Sequence, residues 1–203
     1  MDITSTDTLM AIALGIGLSA ASGFRAFVPL LVTSLAARGG YLTLSPGMEW
    51  IATDAALAAL AIATVLEIAA YYTPWLDNLL DVIATPAAVL AGTVLMVAVL
   101  PDLPPVLRWG LAIIAGGGAA GVIQLLTVLL RLKSTALTGG LGNPIIATGE
   151  LVGSVAVSLI SLLAPLIGLV VVTLLGVFVL GRARYALRRR RGGGSPRASP
   201  STE

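Results

Sequence analysis

The sequence predicts an all-α integral membrane protein of about six transmembrane helices, arranged as a 3+3 inverted repeat. Three observations lead there. Hydrophobic residues fill 57% of the 203 positions and charged residues only 11%, against roughly 25% charge in an average soluble domain. Apolar runs of about 20 residues, enough to cross a hydrocarbon core as helix, recur along the chain, while the alternating segments of a membrane barrel are absent. Finally, the two halves resemble each other weakly at a fixed spacing.

The spans expected in the membrane are 8–36, 51–71, 79–100, 106–130, 146–164 and 166–181. The first is preceded by MDITSTDTLM, which has no positive n-region, so a cleaved signal peptide is not expected. Ser45 with Pro46, and Asn143 with Pro144, read as an N-cap followed by proline at the first helical position, and open the second and fifth spans. A straight helix over 146–181 would be about 54 Å long against a core of about 30 Å, so a tight turn is expected at Ala164 and Pro165.

Seven of the twelve basic residues follow Gly181, at Arg182, Arg184, Arg188 to Arg191 and Arg197, which leaves residues 1–181 with a net charge of −4. Residues 182–203 therefore read as a basic, disordered cytoplasmic tail suited to anionic lipid headgroups rather than to nucleic acid. Arg131 and Lys133, between the fourth and fifth spans, fall on the same side, and only Arg38 and Arg108 remain for the outer loops. By loop charge, both termini are expected to be cytoplasmic; the membrane expected is the plasma (inner) membrane.

The two N-cap signals lie 98 residues apart, as do Gly23 and Gly121 within SAASG and GGGAAG, and IATDAALAAL from 51 aligns with IATGELVGSV from 146 after a three-residue gap. The repeats are then about 8–100 and about 106–181. Three crossings per unit invert the second copy, and in such folds the site lies where interrupted helices of the two repeats meet. Gly23 and Pro29 interrupt the first helix of one unit, Gly117 and Gly121 that of the other. The alternative reading is that these small residues simply let helices pack closely.

Charges within spans define the candidate site. A central charge costs roughly 2.5–3.5 kcal/mol on insertion scales, so such a residue faces a partner or a watery cavity. Arg25, Glu67 and Glu150 qualify, and Asp77 and Asp81, one helical turn apart, add two carboxylates. Each also has a plainer reading: Arg25 snorkelling outward, Glu67 at the interface, Asp77 and Asp81 capping a helix. With neither cysteine nor histidine, thiolate and imidazole chemistry are excluded. Carboxylates remain, so Asp77 and Asp81 with Glu67 are the one candidate for acid-base work or an oxygen-ligand metal, but no ligand pattern calls for a metal, and no cofactor or enzymatic activity is expected.

GFRAFVPLL at 23–31, the glutamate of LEIAA at 67, PWLDNLLD at 74–81, PAAVLAGT at 86–93 and GNPIIATGE at 142–150 together resemble the membrane protein family called domain of unknown function 4126, over roughly residues 10–180. Tyr71 and Tyr72 stand where the family has an Asp-Lys pair, and Ile123 and Gln124 where it has a basic residue, so the counterpart of Arg25 is neutral here. The resemblance implies no activity. The expectation from the residues is a small ion or solute transporter or channel, with a structural or lipid-contacting protein holding a buried charge network as the alternative. Its partners are the bilayer and an unidentified small solute, and self-association is left open.

Overall fold

The computed structural model describes residues 6–71 and 74–192, without the side chains of 71–82, 180 and 183–192. Its elements are α1 (Thr6–Ser22), α2 (Phe27–Arg38), a 3-10 turn (Glu49–Ala52), α3 (Asp54–Tyr71), α4 (Pro74–Val99), α5 (Pro105–Leu111), a π-helical stretch (Ala112–Gly117), α6 (Gly118–Thr138), α7 (Asn143–Leu163) and α8 (Pro165–Gly192). Among the described residues there is no strand. The stretches Pro105–Thr138 and Asn143–Leu163 are long and apolar enough to cross a membrane, and the chain is an all-helical protein of membrane type.

The expected first span, 8–36, is corrected: it is two helices that double back. Ser19 and Ser22 hydroxyls donate to the carbonyls of Gly92 (2.7 Å) and Ala88 (3.1 Å), which sets α1 antiparallel to α4. The Ser34 hydroxyl of α2 donates to the Ile51 carbonyl at 2.6 Å. Ile51 clusters with Met96, Val97 and Leu100, against which Ile12 and Ile16 of α1 also pack. The far part of α2 has thus returned to where α1 began. The cause is local: at Gly23 and Phe24 the helix tightens into bonds to Ala20 and Ala21, and the chain then breaks at Arg25.

Other antiparallel contacts fix the remaining directions. Ser154 of α7 donates to the Ala21 carbonyl (3.0 Å), and Ser161 lies against Gly17, so α7 also runs against α1. Ala164, before Pro165, is pushed out of helical geometry (φ −147°, ψ 78°), and Gly168 of α8 packs back on Ser161. The expected turn is there, and 146–181 is a hairpin. By contrast, α6 runs parallel to α1, with Gly116 near Ser19 and Gly23 against Ala120 and Ile123.

One end of the bundle therefore gathers the start of α1, the loop around Tyr41, the end of α4, the start of α5 and the α7–α8 turn. The other gathers the end of α3, the start of α4, the α6–α7 connection with Leu141, and the C-terminal part of α8. The start of α1 and the end of α8 lie at opposite ends, unlike the same-side termini that six crossings imply. The interior between the ends is Leu18, Leu30, Ala91, Leu95 and Val99 on one side of α1 and Ala20, Ala21, Ile123, Val157 and Val172 on the other.

Several boundaries shift. Ser45 does not cap the second span; it lies in the loop, where its amide donates to Ala98 O and its hydroxyl to Leu100 O. The cap of α3 is the Thr53 hydroxyl, which accepts the Ala56 amide at 3.2 Å. Asn143 does not cap α7 either: Gly142 holds the N-cap position, and Asn143 and Pro144 are the first two helical residues, so only the place of the helix entry is as expected. Of the expected interruptions, Gly23 lies at the break, Gly117 closes the π stretch, Pro29 lies in the first turn of α2, and Gly121 lies in unbroken α6. Proline is tolerated at position 29 because a first-turn residue has no intrahelical amide partner to lose. Helix α8 runs on to Gly192, eleven residues into the expected tail; residues 193–203 lie outside the description.

Candidate functional site

The break between α1 and α2 is the tip of a helical hairpin held inside the bundle. It lies level with Ala147 and Glu150 of α7, about 6–10 Å along that helix from Asn143 at 1.5 Å per residue. Arg25 sits at this tip with 1% exposure, among the largest fully buried side chains. Its guanidinium donates to the Ala147 carbonyl at 2.9 Å and approaches a Glu150 oxygen at 3.8 Å. The outward snorkelling open to it on sequence grounds does not occur.

Glu150 is the centre of the cluster. Arg131 of α6 grips it in a fork, Nε to one carboxylate oxygen at 3.0 Å and Nη2 to the other, with both residues 4% exposed. A two-pronged guanidinium–carboxylate pair is the strongest geometry available to such groups. Glu150 thus serves two arginines, one from the break between α1 and α2 and one from α6.

Glu67 of α3 does something different. Its two oxygens accept the amides of Ala26 (2.9 Å) and Phe27 (3.2 Å), the first free N–H groups of α2. A helix start leaves such donors without backbone partners and carries a partial positive charge, so a carboxylate there is doubly favoured. Glu67 is the cap that lets a helix begin inside an apolar bundle.

The structure therefore joins three of the expected residues, Arg25, Glu67 and Glu150. The side chains of Asp77 and Asp81 lie outside the described residues. Arg131, assigned on sequence to a cytoplasmic loop, is corrected to a buried member of the cluster because α6 continues to Thr138. Its signal was a polar stripe: Gln124, Thr127 and Arg131, spaced by three and four, share the buried face of α6. On α7 the matching stripe is Glu150, Ser154, Ser158 and Ser161. The neutral Gln124 does not leave Arg25 as the one buried arginine, since Arg131, two turns on, supplies a second.

Chemically, the site holds two permanent cations and two carboxylates, formally balanced. Among the described residues no three His, Cys, Asp or Glu side chains converge as a metal site requires. The family model described as Domain of unknown function (DUF4126) matches residues 12–184. No curated protein and no solved structure matches the chain.

Proposed function

Since the chain belongs to the DUF4126 family, whose description states no activity, we propose from the site itself that it carries a small ion or solute across a bilayer, with the α1–α2 tip as the binding point. One observation carries this reading: the chain reverses inside the bundle, and the reversal presents a helix start and a buried arginine to two carboxylates. Non-helical backbone at membrane depth is tolerated where protein buries it or where it lines a cavity, and transporters place substrates at such interrupted helices. Glu67 occupies the place an anionic group of a solute takes in those folds. Its release frees two amides beside Arg25.

The finer topology belongs to the same proposal. The arginine-rich end of α8 is cytoplasmic in a bacterial inner membrane, and the start of α1 is outside. An inverted repeat draws support from α3 and α7, which run in opposite directions, as do α4 and α8. The parallel run of α1 and α6 limits any inversion to the last two helices of each unit.

A second reading is favoured by how fully the carboxylates are used: both oxygens of Glu67 and both of Glu150 are bonded within the protein. On that reading the network only holds helices together. In the cysteine-free chain, Ala26→Cys probed with a membrane-impermeant thiol reagent separates the two. Labelling from both faces of sealed proteoliposomes is expected for a translocation pathway. No labelling from either face, with Leu141→Cys labelled as a control, overturns it.

A further inference from the structure

Away from the hairpin tip, α6 and α8 leave a groove of about 300 Å³ between them, lined by Leu126, Leu129, Leu130, Phe178 and Val179 with Lys133 and Arg182. The helices run parallel here, so the chemistry is graded along the groove. Lys133 lies seven residues beyond Leu126 on α6, about 10 Å at 1.5 Å per residue, and Arg182 lies one turn beyond Phe178 on α8. Both cations thus stand at the Leu141 end, and the apolar walls extend from them towards the middle of the bundle. Arg182 is exposed and stacks on the Phe178 ring, 5.4 Å from its centroid. Lys133 is exposed too. Among the described residues lining the groove there is no carboxylate to answer them.

We infer that this groove is a binding site for one anionic phospholipid of the leaflet at the arginine-rich end. The phosphate sits between Lys133 and Arg182, and one acyl chain lies along Leu126, Leu129, Leu130 and Phe178. The occupant follows from complementarity. A soluble phosphate has no use for the apolar walls, and a neutral lipid none for two cations held at one end. Basic pockets between helices on the cytoplasmic side recognise anionic headgroups in this way. The site is separate from the arginines after residue 183 and from the Arg25–Glu150 cluster, and it holds whether or not a solute crosses.

The test uses the full chain in neutral detergent, titrated with phosphatidylglycerol or phosphatidylcholine and read by native mass spectrometry. Wild type should hold one phosphatidylglycerol in preference to phosphatidylcholine. Lys133→Gln with Arg182→Gln should weaken that preference about thirtyfold, at about tenfold for each 1.4 kcal/mol and about 1 kcal/mol per basic residue near a membrane surface. Lys133→Arg with Arg182→Lys should keep it, and Leu130→Trp, which fills the groove, should lower binding with both cations intact. All the changed residues are exposed, so each variant is checked for an unaltered melting temperature. Retention of the preference in the doubly neutralised chain overturns the site and assigns selectivity to the arginine tail. Equal competition by soluble glycerol phosphate overturns the acyl groove.

Discussion

Arg131 and Glu150 form a two-pronged ion pair between α6 and α7, and the same carboxylate faces Arg25 of the hairpin tip from 3.8 Å. One side chain thus ties the hairpin tip to the consecutive helices α6 and α7. Glu150→Gln removes the carboxylate that Arg131 grips and Arg25 faces, and leaves the buried cluster with a net positive charge. Removing one partner of such a pair typically costs about 3–5 kcal/mol. The expected result is a large loss of thermal stability in detergent, and Arg131→Gln alone should also destabilise. The pair of changes together should cost less than the sum of the two, because the Arg131 charge that Glu150→Gln orphans is absent from the double variant, while Arg25 stays in both. Additive losses in that cycle would show that the pair contributes no coupling.

Glu67 should matter through two amides rather than through charge alone. Glu67→Gln keeps one acceptor oxygen, whereas Glu67→Ala leaves the Ala26 and Phe27 amides without their partner. An unmet buried donor costs about 1–3 kcal/mol. Glu67→Ala is therefore expected to be the more destabilising change and to speed hydrogen exchange at those two amides, with Glu67→Gln between it and wild type. Equal exchange in all three proteins would remove Glu67 from the capping role.

Two glycines that look alike in sequence should respond in opposite ways. A Cβ at Gly23 would lie 2.4 Å from the Ala120 carbonyl oxygen and 2.7 Å from Ile123 Cβ, against the body of α6. Gly23→Ala must push the hairpin tip off that helix, at about 1–3 kcal/mol for an overpacked site. A Cβ at Gly121 meets only Val89 Cγ2, at 3.6 Å, an ordinary contact. Gly121→Ala should be neutral or stabilise by up to about 1 kcal/mol through helix propensity. Melting temperatures of the two variants check the contrast.

Much of this arrangement was legible in the sequence, and the failures have physical causes. Hydropathy located every apolar segment, and Pro165 marked its turn because the residue before proline is driven out of helical geometry. Hydropathy does not carry direction, so 8–36 looked like one helix when it is two. The sign was there in FRAF, since an arginine just after a glycine in mid-span is where a chain can reverse if a carboxylate waits for the freed amides. That carboxylate, Glu67, lies about 40 residues away, and no local pattern pairs the two. Arg131 was missed for a related reason: loop-charge counting treats an arginine beyond an apolar run as solvated, whereas its three–four spacing from Gln124 and Thr127 puts it on the buried face.

The hairpin also sets which end of the bundle holds the start of α1, and this separates the observed fold from six plain crossings. If 8–36 were one crossing, the start of α1 and the loop around Tyr41 would lie on opposite faces of the membrane. With α1 and α2 doubling back, both lie at one end of the bundle, and Leu141, beside the basic stretch of α6 and α8, lies at the other. Tyr41 and Leu141 are both well exposed, at 88% and 86%, and the chain has no cysteine of its own. Tyr41→Cys and Leu141→Cys should therefore be labelled by an impermeant thiol reagent from opposite faces of oriented vesicles. An epitope joined to the N-terminus should be reached from the Tyr41 face. Detection of the epitope on the Leu141 face would mean that Gly23 and Arg25 interrupt a spanning helix without turning it, and the hairpin tip would then no longer be the place to look for a solute.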